Sequence, residues 1–413
     1  MAKIAILMDA EEGHLLPTID LSAGLRERGH EVLYVSICDN EKLVREYGFN
    51  FKPVLETIFP PGSREEFKRR HERQAADEPE TIAALQEIIN GAYDQLVNVI
   101  RPDIYIVSTF LRFDLLLLYY KYRIRPVVFT TYLRDPGVTL ARDCIGDLLK
   151  IPPELTASLI TFLADIGIVV SSLESLAAPL NTLQELVACP LELDLEPPAR
   201  KHHSISIGPS IRESKNADPF TARIIEEAGT RPLIYASLGS QALSYGEKSK
   251  SFFRGLLSMM ESEEMIDMYM VLAIGPEMQP ATLGYIPPNV KVVNWISQLD
   301  ILKRATLAII HGGLGTVKEC IYFGVPMIVV PINRDQPSNA ERVVYHGLGK
   351  RADIDQGDWK GLKDQVTNIL QDNNVTRNIK RMQQLFLEEQ QSQRGVDAIE
   401  KLLRPIKRVE IRI

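Results

Sequence analysis

Apolar residues in the first half of the chain alternate between short continuous runs and segments with helical spacing. The runs at residues 3–8 and 31–36 predict buried strands. Between them, residues 17–28 have apolar positions at helical spacing and end at Gly29, a favourable helix stop. This order predicts a mostly parallel sheet covered by helices. It recurs as a strand, a helix and a strand at residues 104–107, 114–122 and 126–131.

The second half of the chain repeats the pattern of buried strands separated by helices. Before it, residues 59–80 are rich in charge and proline, and residues 133–155 carry proline and glycine turn signals, so both are predicted to be irregular. The final amphipathic segment, 365–403, is predicted to be helical with an interruption near 372–374. The strands of the second half are predicted at residues 232–237, 269–273, 290–293, 307–310 and 327–330.

A domain boundary is predicted near the middle of the chain. The length of 413 residues exceeds what one hydrophobic core usually organises. Residues 208–219 are polar and contain glycine and proline, as a connector between domains would. We therefore predict two α/β domains, 1–210 and 211–395. Residues 396–413 are predicted to form a C-terminal helix and tail. One option is that this segment returns to the N-terminal domain.

Composition narrows the class of protein. Apolar residues at 45% and charged residues at 24% are typical of a globular protein rather than a disordered or repetitive one. The net charge of −7 and the scattered Lys and Arg residues offer no basic stripe, so nucleic acid is not an expected partner. The four cysteines form no CxxC pair and predict neither a zinc site nor a disulfide framework, which suits a reducing cytoplasm: Cys38, Cys144, Cys189 and Cys320.

Neither a signal peptide nor a membrane span is predicted. The N-terminal segment reaches Asp9 and two glutamates before an apolar signal region could form. The apolar run at 115–120 lies between Asp114 and Lys121 and is too short to span a bilayer. We expect a cytoplasmic protein without a transmembrane segment. The sequence leaves peripheral membrane contact and the oligomeric state open.

The strongest local signal is a buried strand that runs into a glycine-rich turn and a helix. Gly312, Gly313 and Gly315 allow the backbone to approach a ligand closely, and the unpaired N–H groups at the helix start favour an anion. His311 and Thr316 can add donors. A diphosphate leaving group could thus be neutralised by the protein alone, so we expect no metal ion and no cofactor.

Two other interpretations of this turn are open from the residues alone. Thr316 and Glu319 could form a T-x-x-E capping box, with the glycines making only a tight turn. The dinucleotide fingerprint would need a third glycine three residues after Gly315, which is absent, although Asp335 lies about 20 residues further on. A nicotinamide-dependent dehydrogenase is therefore disfavoured.

Further motifs occur in a fixed order around the turn. WISQ begins at Trp295, GVP at Gly324 and PINRDQPSNA at Pro331, while GHLLP begins at Gly13 and SLGS at Ser237. Together with the glycine turn, these motifs resemble the UDP-glycosyltransferase superfamily, which includes bacterial macrolide and natural-product enzymes and plant secondary-metabolite enzymes. The resemblance covers nearly the whole chain and is weakest at residues 56–195.

The resemblance implies a GT-B fold, in which two Rossmann-like domains face each other across a cleft. Residues 1–210 would bind the acceptor and residues 211–395 the nucleotide-sugar donor. A tryptophan would stack on the base, a glutamine and a glutamate would meet the ribose hydroxyls, and an Asp-Gln pair, with Asn339 nearby, would meet the sugar. The donor-binding residues implied in this way are Ser237, Ser240, Trp295, Ile296, Gln298, His311, Gly313, Gly315, Thr316, Glu319, Asp335 and Gln336.

Catalysis is predicted to centre on His14, in the loop between the first strand and the helix that contains Pro17. A neutral imidazole near the positive end of that helix could take a proton from an acceptor hydroxyl. Many relatives orient this histidine with an aspartate just after the strand that corresponds to residues 104–107, but Ser108 occupies that position here. Asp114 is the first candidate for the orienting carboxylate and Asp9 is the second.

The resulting prediction is an inverting hexosyltransferase that moves a sugar, such as a hexose from a UDP-sugar, onto a hydroxyl of a small hydrophobic acceptor. A TDP-deoxysugar donor is an alternative, because thymine and uracil both stack on tryptophan. A sugar-nucleotide 2-epimerase and a lipid-linked cell-wall transferase are alternatives with the same two-domain plan. Both are disfavoured, because this sequence lacks a glycine-rich GGxGGH loop. A catalytically silent nucleotide-sugar-binding partner protein is the alternative outside enzymes.

Overall fold

The computed structural model describes residues 1–66, 78–195, 203–213, 217–239, 242–353 and 359–403. Its chain forms two compact units. The first comprises Met1–Cys189, Pro198–Ser210 and Ser392–Ile413, and the second comprises Pro190–Pro197 and Ile211–Gln391.

Residues 190–195 belong to the second unit, whereas the boundary predicted at residue 210 places them in the first domain. The physical reason is a buried ion pair within that unit. The guanidinium of Arg342, which is 1% exposed, donates to the carboxylate of Asp194 at 3.0 Å. An arginine buried this deeply needs such a partner, and this contact fastens the segment to the second unit.

The first unit contains a seven-stranded parallel sheet in the order β3-β2-β1-β4-β5-β6-β7. Successive residues of β1 point to opposite faces, so Ile4 and Ile6 enter one hydrophobic cluster while Ala5 and Leu7 enter another. A sheet that is buried on both faces explains why the strands predicted from the sequence, at residues 3–8, 31–36, 104–107 and 126–131, are continuous apolar runs. The strands are β1 (Lys3–Leu7), β2 (Glu31–Ser36), β3 (Asn50–Pro53), β4 (Ile104–Ser108), β5 (Val127–Thr130), β6 (Glu185–Val187) and β7 (Ser204–Ser206).

Helices cover both faces of this sheet. The predicted irregular stretch at 133–155 instead contains a helix, which begins after Thr139, whose side chain accepts a hydrogen bond from the Arg142 N–H. Its buried residues include Leu140, Cys144 and Leu148, and this four-residue spacing marks an apolar face. The helices of the first unit are α1 (Glu12–Leu15), α2 (Thr18–Glu27), α3 (Glu41–Glu46), α4 (Glu78–Asn90), α5 (Arg112–Tyr120), α6 (Leu140–Leu148), α7 (Pro153–Asp165), α8 (Leu173–Ala177) and, from the end of the chain, α16 (Arg394–Leu403).

The second unit contains a six-stranded parallel sheet in the order β10-β9-β8-β11-β12-β13. The outer strand β13 begins at Gly349, where any side chain would collide with the Met327 carbonyl oxygen, 1.7 Å from the position of a Cβ. The strands are β8 (Leu233–Ser237), β9 (Tyr269–Ala273), β10 (Val290–Val293), β11 (Leu307–Ile310), β12 (Met327–Val329) and β13 (Gly349–Arg351). The helices are α9 (Pro219–Ala228), α10 (Glu247–Met260), α11 (Gln298–Leu302), α12 (Leu314–Tyr322), α13 (Gln336–Tyr345), α14 (Trp359–Gln371) and α15 (Asn373–Gln391).

The C-terminal helical segment is divided at two places. The first break, between α14 and α15, lies at the predicted interruption. The second lies before α16, where Gln393 adopts a left-handed conformation with φ of 49°. Helix α16 packs on the first unit, where Arg28 pairs with Asp397 and Glu400, and Val396 lies against Gly24.

Within the described residues, every helix is too short or too polar to cross a lipid bilayer. The same part of the chain brings together no group of three or more His, Cys, Asp or Glu side chains suited to a metal ion.

Candidate active site

The first candidate site lies where two neighbouring strands of the first sheet end. Strand β1 pairs with β2 on one side and with β4 on the other, so the strand order reverses at this point. Ligands of open parallel sheets bind at the carboxyl ends of the strands beside such a reversal. Asp9 and His14 follow β1, and Ser108 is the last residue of β4.

His14 lies in the last turn of the short helix α1 rather than in a loop. Its Nδ1 lies 2.7 Å from Asp9 Oδ1. Burial alone would raise the pKa of Asp9, but the hydrogen bonds from His14 and Ser108 and the charge of His14 lower it below the usual value. An ionised carboxylate only accepts hydrogen bonds, so His14 Nδ1–H is the donor. In the neutral form of this imidazole, the other ring nitrogen, Nε2, carries the lone pair.

Three further groups hold this pair in place. The Ser108 hydroxyl donates to Asp9 Oδ2 at 2.6 Å, and the Glu11 N–H donates to Oδ1 at 3.0 Å. The ring of Phe110 stacks on the His14 imidazole, with 3.9 Å between ring centroids and 10° between planes. Both the Asp9 carboxylate and the ring plane of His14 are therefore fixed.

The first-choice orienting carboxylate, Asp114, is not the partner of His14. It is buried in α5 and accepts a hydrogen bond from the Tyr93 hydroxyl at 2.5 Å. Burial raises the pKa of Asp114 to about 6, against the lowering effect of the Tyr93 hydrogen bond. Helix α5 begins at Arg112, two residues earlier than predicted, so Asp114 lies in its first turn. The second candidate, Asp9, contacts His14 instead.

The second candidate site lies at the corresponding strand reversal of the second sheet, where β8 and β11 are neighbours. Ser237 ends β8 and accepts a hydrogen bond from the Gly239 N–H at 3.1 Å. Gly313 is the N-cap of α12, without a side-chain cap, so Thr316 lies inside the first turn. The capping-box interpretation of Thr316 and Glu319 is therefore wrong. Among the described residues, no side chain caps the first N–H groups of α12.

His311 is enclosed by glycines on both sides. A Cβ at Gly239 would lie 2.6 Å from the His311 ring, and one at Gly313 would lie 2.7 Å from its Nε2. Burial lowers the pKa of His311 to about 4, so the imidazole is neutral at pH 7. Its Nδ1 is buried and has no hydrogen-bond partner among the described residues. A neutral imidazole offers a ligand one N–H donor rather than a charge.

Gln298 and Glu319 contact each other. The Gln298 amide donates to a Glu319 carboxylate oxygen and, at 3.3 Å, to the Thr316 hydroxyl, while the Tyr235 hydroxyl donates to Gln298 Oε1 at 2.8 Å. Burial raises the pKa of Glu319 to about 7, although the Gln298 hydrogen bond and the charge of Lys318 lower it. Near neutral pH this carboxyl exists in both protonation states.

The raised pKa of Glu319 predicts a loss of stability with rising pH. In the unfolded chain the carboxyl ionises near 4.5, whereas the folded protein retains the proton to about 7. The folded state therefore binds more protons in this interval, and the free energy of unfolding should fall by up to about 3 kcal/mol as pH rises through it. Glu319→Gln should remove this contribution.

Tryptophan fluorescence can follow the unfolding of the second unit, because both tryptophans, Trp295 and Trp359, belong to it. Urea titrations at about pH 5 and about pH 8 would measure the change for wild type and Glu319→Gln. Glu277→Gln, which changes an exposed carboxylate of the same unit, serves as the control. Equal pH dependence in all three proteins would contradict the prediction.

Trp295 and Ile296 differ in their environment. The Trp295 side chain is 64% exposed, so it is not a core tryptophan, whereas Ile296 is buried and could reach a ligand only through its backbone. The loop that carries them is held by Asn294, whose amide donates to the carbonyls of Gly275 and Met278. Ser240, implied by the resemblance, lies outside the described residues.

Asp335 and Gln336 begin α13 beside the glycine turn. The Asn339 amide, which is fully buried, donates to Asp335 Oδ2 at 2.8 Å and to the Gly312 carbonyl at 2.9 Å, joining the carboxylate to the turn. Gln336 is 3% exposed, and its Oε1 accepts from the N–H groups of Ile332 and Asn333. Much of the hydrogen-bonding capacity of Gln336 is thus used within its own loop.

The sequence-predicted residues thus lie in two separate groups. His14 lies with Asp9 in the first unit, while the glycine turn, Gln298 and Glu319 lie together in the second. Sequence reasoning missed Phe110, although its position two residues after β4 places it at the carboxyl edge of the sheet. It also missed Tyr235, which only the fold brings to Gln298.

Comparison with known proteins gives consistent matches. Residues 257–402 match the family model described as the erythromycin biosynthesis protein CIII-like C-terminal domain. The NDP-glycosyltransferase YjiC of Bacillus licheniformis is 27% identical over 406 residues, which cover 97% of this chain and 98% of the relative.

Solved structures match over the same length. The glycotransferase of kitacinnamycin superposes with a TM-score of 0.74 at 25% identity, covering 97% of this chain and 99% of that one. CalG4, the calicheamicin glycosyltransferase, superposes with a TM-score of 0.76 at 21% identity, covering 99% of this chain and all of the other.

The fold, the glycine turn and the comparisons together define the class of protein. The chain is a nucleotide-sugar-dependent glycosyltransferase with the GT-B fold. Its relatives include proteins named for natural products, namely erythromycin, kitacinnamycin and calicheamicin. The resemblance stated from the sequence motifs and the predicted α/β fold are thereby confirmed.

Proposed function

We propose that the protein transfers a hexose from a UDP-sugar to a hydroxyl of a small hydrophobic natural product, with inversion at the anomeric carbon. The contact of 2.7 Å between His14 Nδ1 and Asp9 Oδ1 carries this proposal. It leaves Nε2 as the nitrogen that can accept a proton. A histidine oriented by an ionised carboxylate suits the role of general base.

The proposed reaction is a single displacement. His14 Nε2 takes the proton of the acceptor hydroxyl while the acceptor oxygen forms a bond to the anomeric carbon of the sugar. The bond from that carbon to the diphosphate oxygen breaks, and its electron pair leaves with the nucleoside diphosphate. Attack from the face opposite the leaving group inverts the anomeric configuration.

The second unit would stabilise the departing diphosphate. The uncapped N–H groups of α12, the neutral imidazole of His311 and the hydroxyl of Thr316 are donors suited to phosphate oxygens. Ser237 would add a hydroxyl at the end of β8. Such donors make the nucleoside diphosphate a better leaving group.

Donor and acceptor preferences follow from the flanking residues. The Gln298–Glu319 pair would bind the ribose hydroxyls, which favours UDP over a deoxyribose nucleotide. Asp335 would bind a sugar hydroxyl. Phe110 and Tyr132, whose ring centroids lie 5.3 Å apart, would offer apolar surface to the acceptor beside His14.

Replacing Trp295 by alanine should weaken UDP binding by about 1–3 kcal/mol, roughly 5- to 150-fold, because a base would lose its stacking partner. Stability should change little, since the side chain is 64% exposed. Isothermal titration with UDP measures the effect. Tyr285→Ala, which removes another exposed aromatic ring of the same unit, should bind UDP as wild type does. Equal affinities for all three proteins would contradict the stacking role.

The transfer itself is tested with the purified protein, UDP-glucose, a TDP-deoxysugar and a panel of hydroxylated aromatic and polyketide acceptors. Mass spectrometry should detect hexose adducts with UDP-glucose, and NMR of the product should show inversion. Adducts formed only from the TDP-sugar would favour the deoxysugar alternative. Donor binding without any adduct or nucleoside diphosphate release would favour a silent nucleotide-sugar-binding protein.

A further inference from the structure

The end of strand β4 contacts the His14 pair through one buried hydroxyl. Ser108 is 1% exposed, and its Oγ donates to Asp9 Oδ2 at 2.6 Å. The same oxygen accepts a hydrogen bond from the Phe110 N–H at 3.3 Å. Ser108 thus contacts both the carboxylate and the backbone of the residue whose ring stacks on His14.

These contacts converge on one imidazole. Asp9 holds the ring nitrogen Nδ1, and Phe110 lies parallel to the ring plane at a centroid distance of 3.9 Å. The turn after β4 is itself fixed, because the Leu111 N–H donates to the Ser108 carbonyl and the Thr109 N–H to the Phe129 carbonyl. Movement of the Ser108 hydroxyl would therefore be transmitted to both contacts of His14.

We propose that Ser108 is a positioning residue that fixes the tautomer and the ring plane of His14 by holding Asp9 and Phe110 at once. Asp9 Oδ1 accepts from His14 and Glu11, while Ser108 is the side-chain donor on Oδ2. Without that donor, the carboxylate can rotate about its Cβ–Cγ bond and weaken its contact with His14. The inference deepens the proposed function, since it rests on His14 acting as the base.

The first test compares two serines that both contact Asp9. Ser108→Ala removes a donor to the carboxylate, whereas Ser36→Ala removes a buried strand-end hydroxyl that donates to the backbone carbonyls of Met8 and Asp9. With UDP-glucose and the acceptor that is turned over fastest, Ser108→Ala should lower kcat about ten- to hundredfold, the effect of losing a hydrogen bond to a charged group. KM values should stay within about threefold, and Ser36→Ala should keep its kcat within about threefold of wild type.

Conservative replacements separate positioning from folding. Ser108→Thr keeps the hydroxyl and should restore most of kcat, whereas Ser108→Cys keeps the volume but has a weak donor and should resemble Ser108→Ala. The cysteine variant also serves if the alanine variant fails to fold. Equal kcat values for Ser108→Ala, Ser108→Cys and Ser36→Ala, or an effect confined to KM, would overturn the inference.

A spectroscopic measurement gives a result independent of turnover. The imidazole ¹⁵N resonances of His14, identified by their absence in His14→Ala, should report mainly the Nδ1–H tautomer in wild type and a larger Nε2–H fraction in Ser108→Ala. An unchanged tautomer ratio would overturn the positioning role alone. Undiminished turnover by His14→Ala would instead overturn the proposed function, so the two failures are distinguishable.

Discussion

His14→Ala is expected to lower turnover by about 10²–10⁴-fold while leaving UDP affinity unchanged. The alanine removes the only group proposed to take the acceptor proton, so the attacking oxygen would have to lose it to water. Donor binding is proposed to reside in the second unit, around the glycine turn at Gly312 and Gly313, whereas His14 belongs to the first. The change should therefore appear in kcat rather than in the binding of the nucleotide.

Steady-state kinetics with saturating UDP-glucose, combined with titration calorimetry for UDP, separates the two quantities. His203→Ala, which removes an exposed histidine of the first unit, is the matched control and should retain full turnover. If His14→Ala kept wild-type kcat, another group would have to be the base. If it lost UDP binding as well, the effect could not be assigned to proton transfer.

Gly312→Ala is expected to disrupt the donor site and destabilise the second unit. Gly312 has a φ of +93°, which an alanine adopts only under strain, and its Cβ would lie 2.6 Å from Val329 Cγ1 and 3.3 Å from the Gln336 carbonyl. Backbone strain and overpacking together should cost about 2–5 kcal/mol in the free energy of unfolding. Because Asn339 donates to the Gly312 carbonyl and to Asp335, the displaced turn should also weaken UDP binding by at least about tenfold.

The same turn supplies the stability control. A Cβ at Gly315 meets nothing within 4 Å, and its φ lies outside the left-handed range, so Gly315→Ala should unfold at the urea concentration of wild type or above it. Urea titration followed by tryptophan fluorescence measures both variants. Equal stability of Gly312→Ala and Gly315→Ala would show that the crowding at Gly312 is relieved at little cost.

Local patterns sufficed for most of the fold. Strands such as Tyr269–Ala273 and Leu307–Ile310 lie where the sequence predicts them, because a strand buried on both faces is a continuous apolar run. The outer strands Asn50–Pro53 and Gly349–Arg351 were missed, because their sequences, NFKP and GKR, contain no apolar run. Helix Leu140–Leu148 was missed because nearby turn signals outweighed its apolar spacing.

Neighbouring residues and contiguous motifs were enough to predict the two-domain α/β fold, the glycine turn before α12 and His14 as the candidate base. In contrast, the contact of His14 with Asp9 instead of Asp114 became visible only in the folded chain. The fold also brought Ser108 to Asp9, although 99 positions separate them in the chain. Strand pairing sets such contacts. The strands β1 and β4, far apart in the sequence, are neighbours in the folded sheet, and no local pattern specifies which side chains meet at its carboxyl edge.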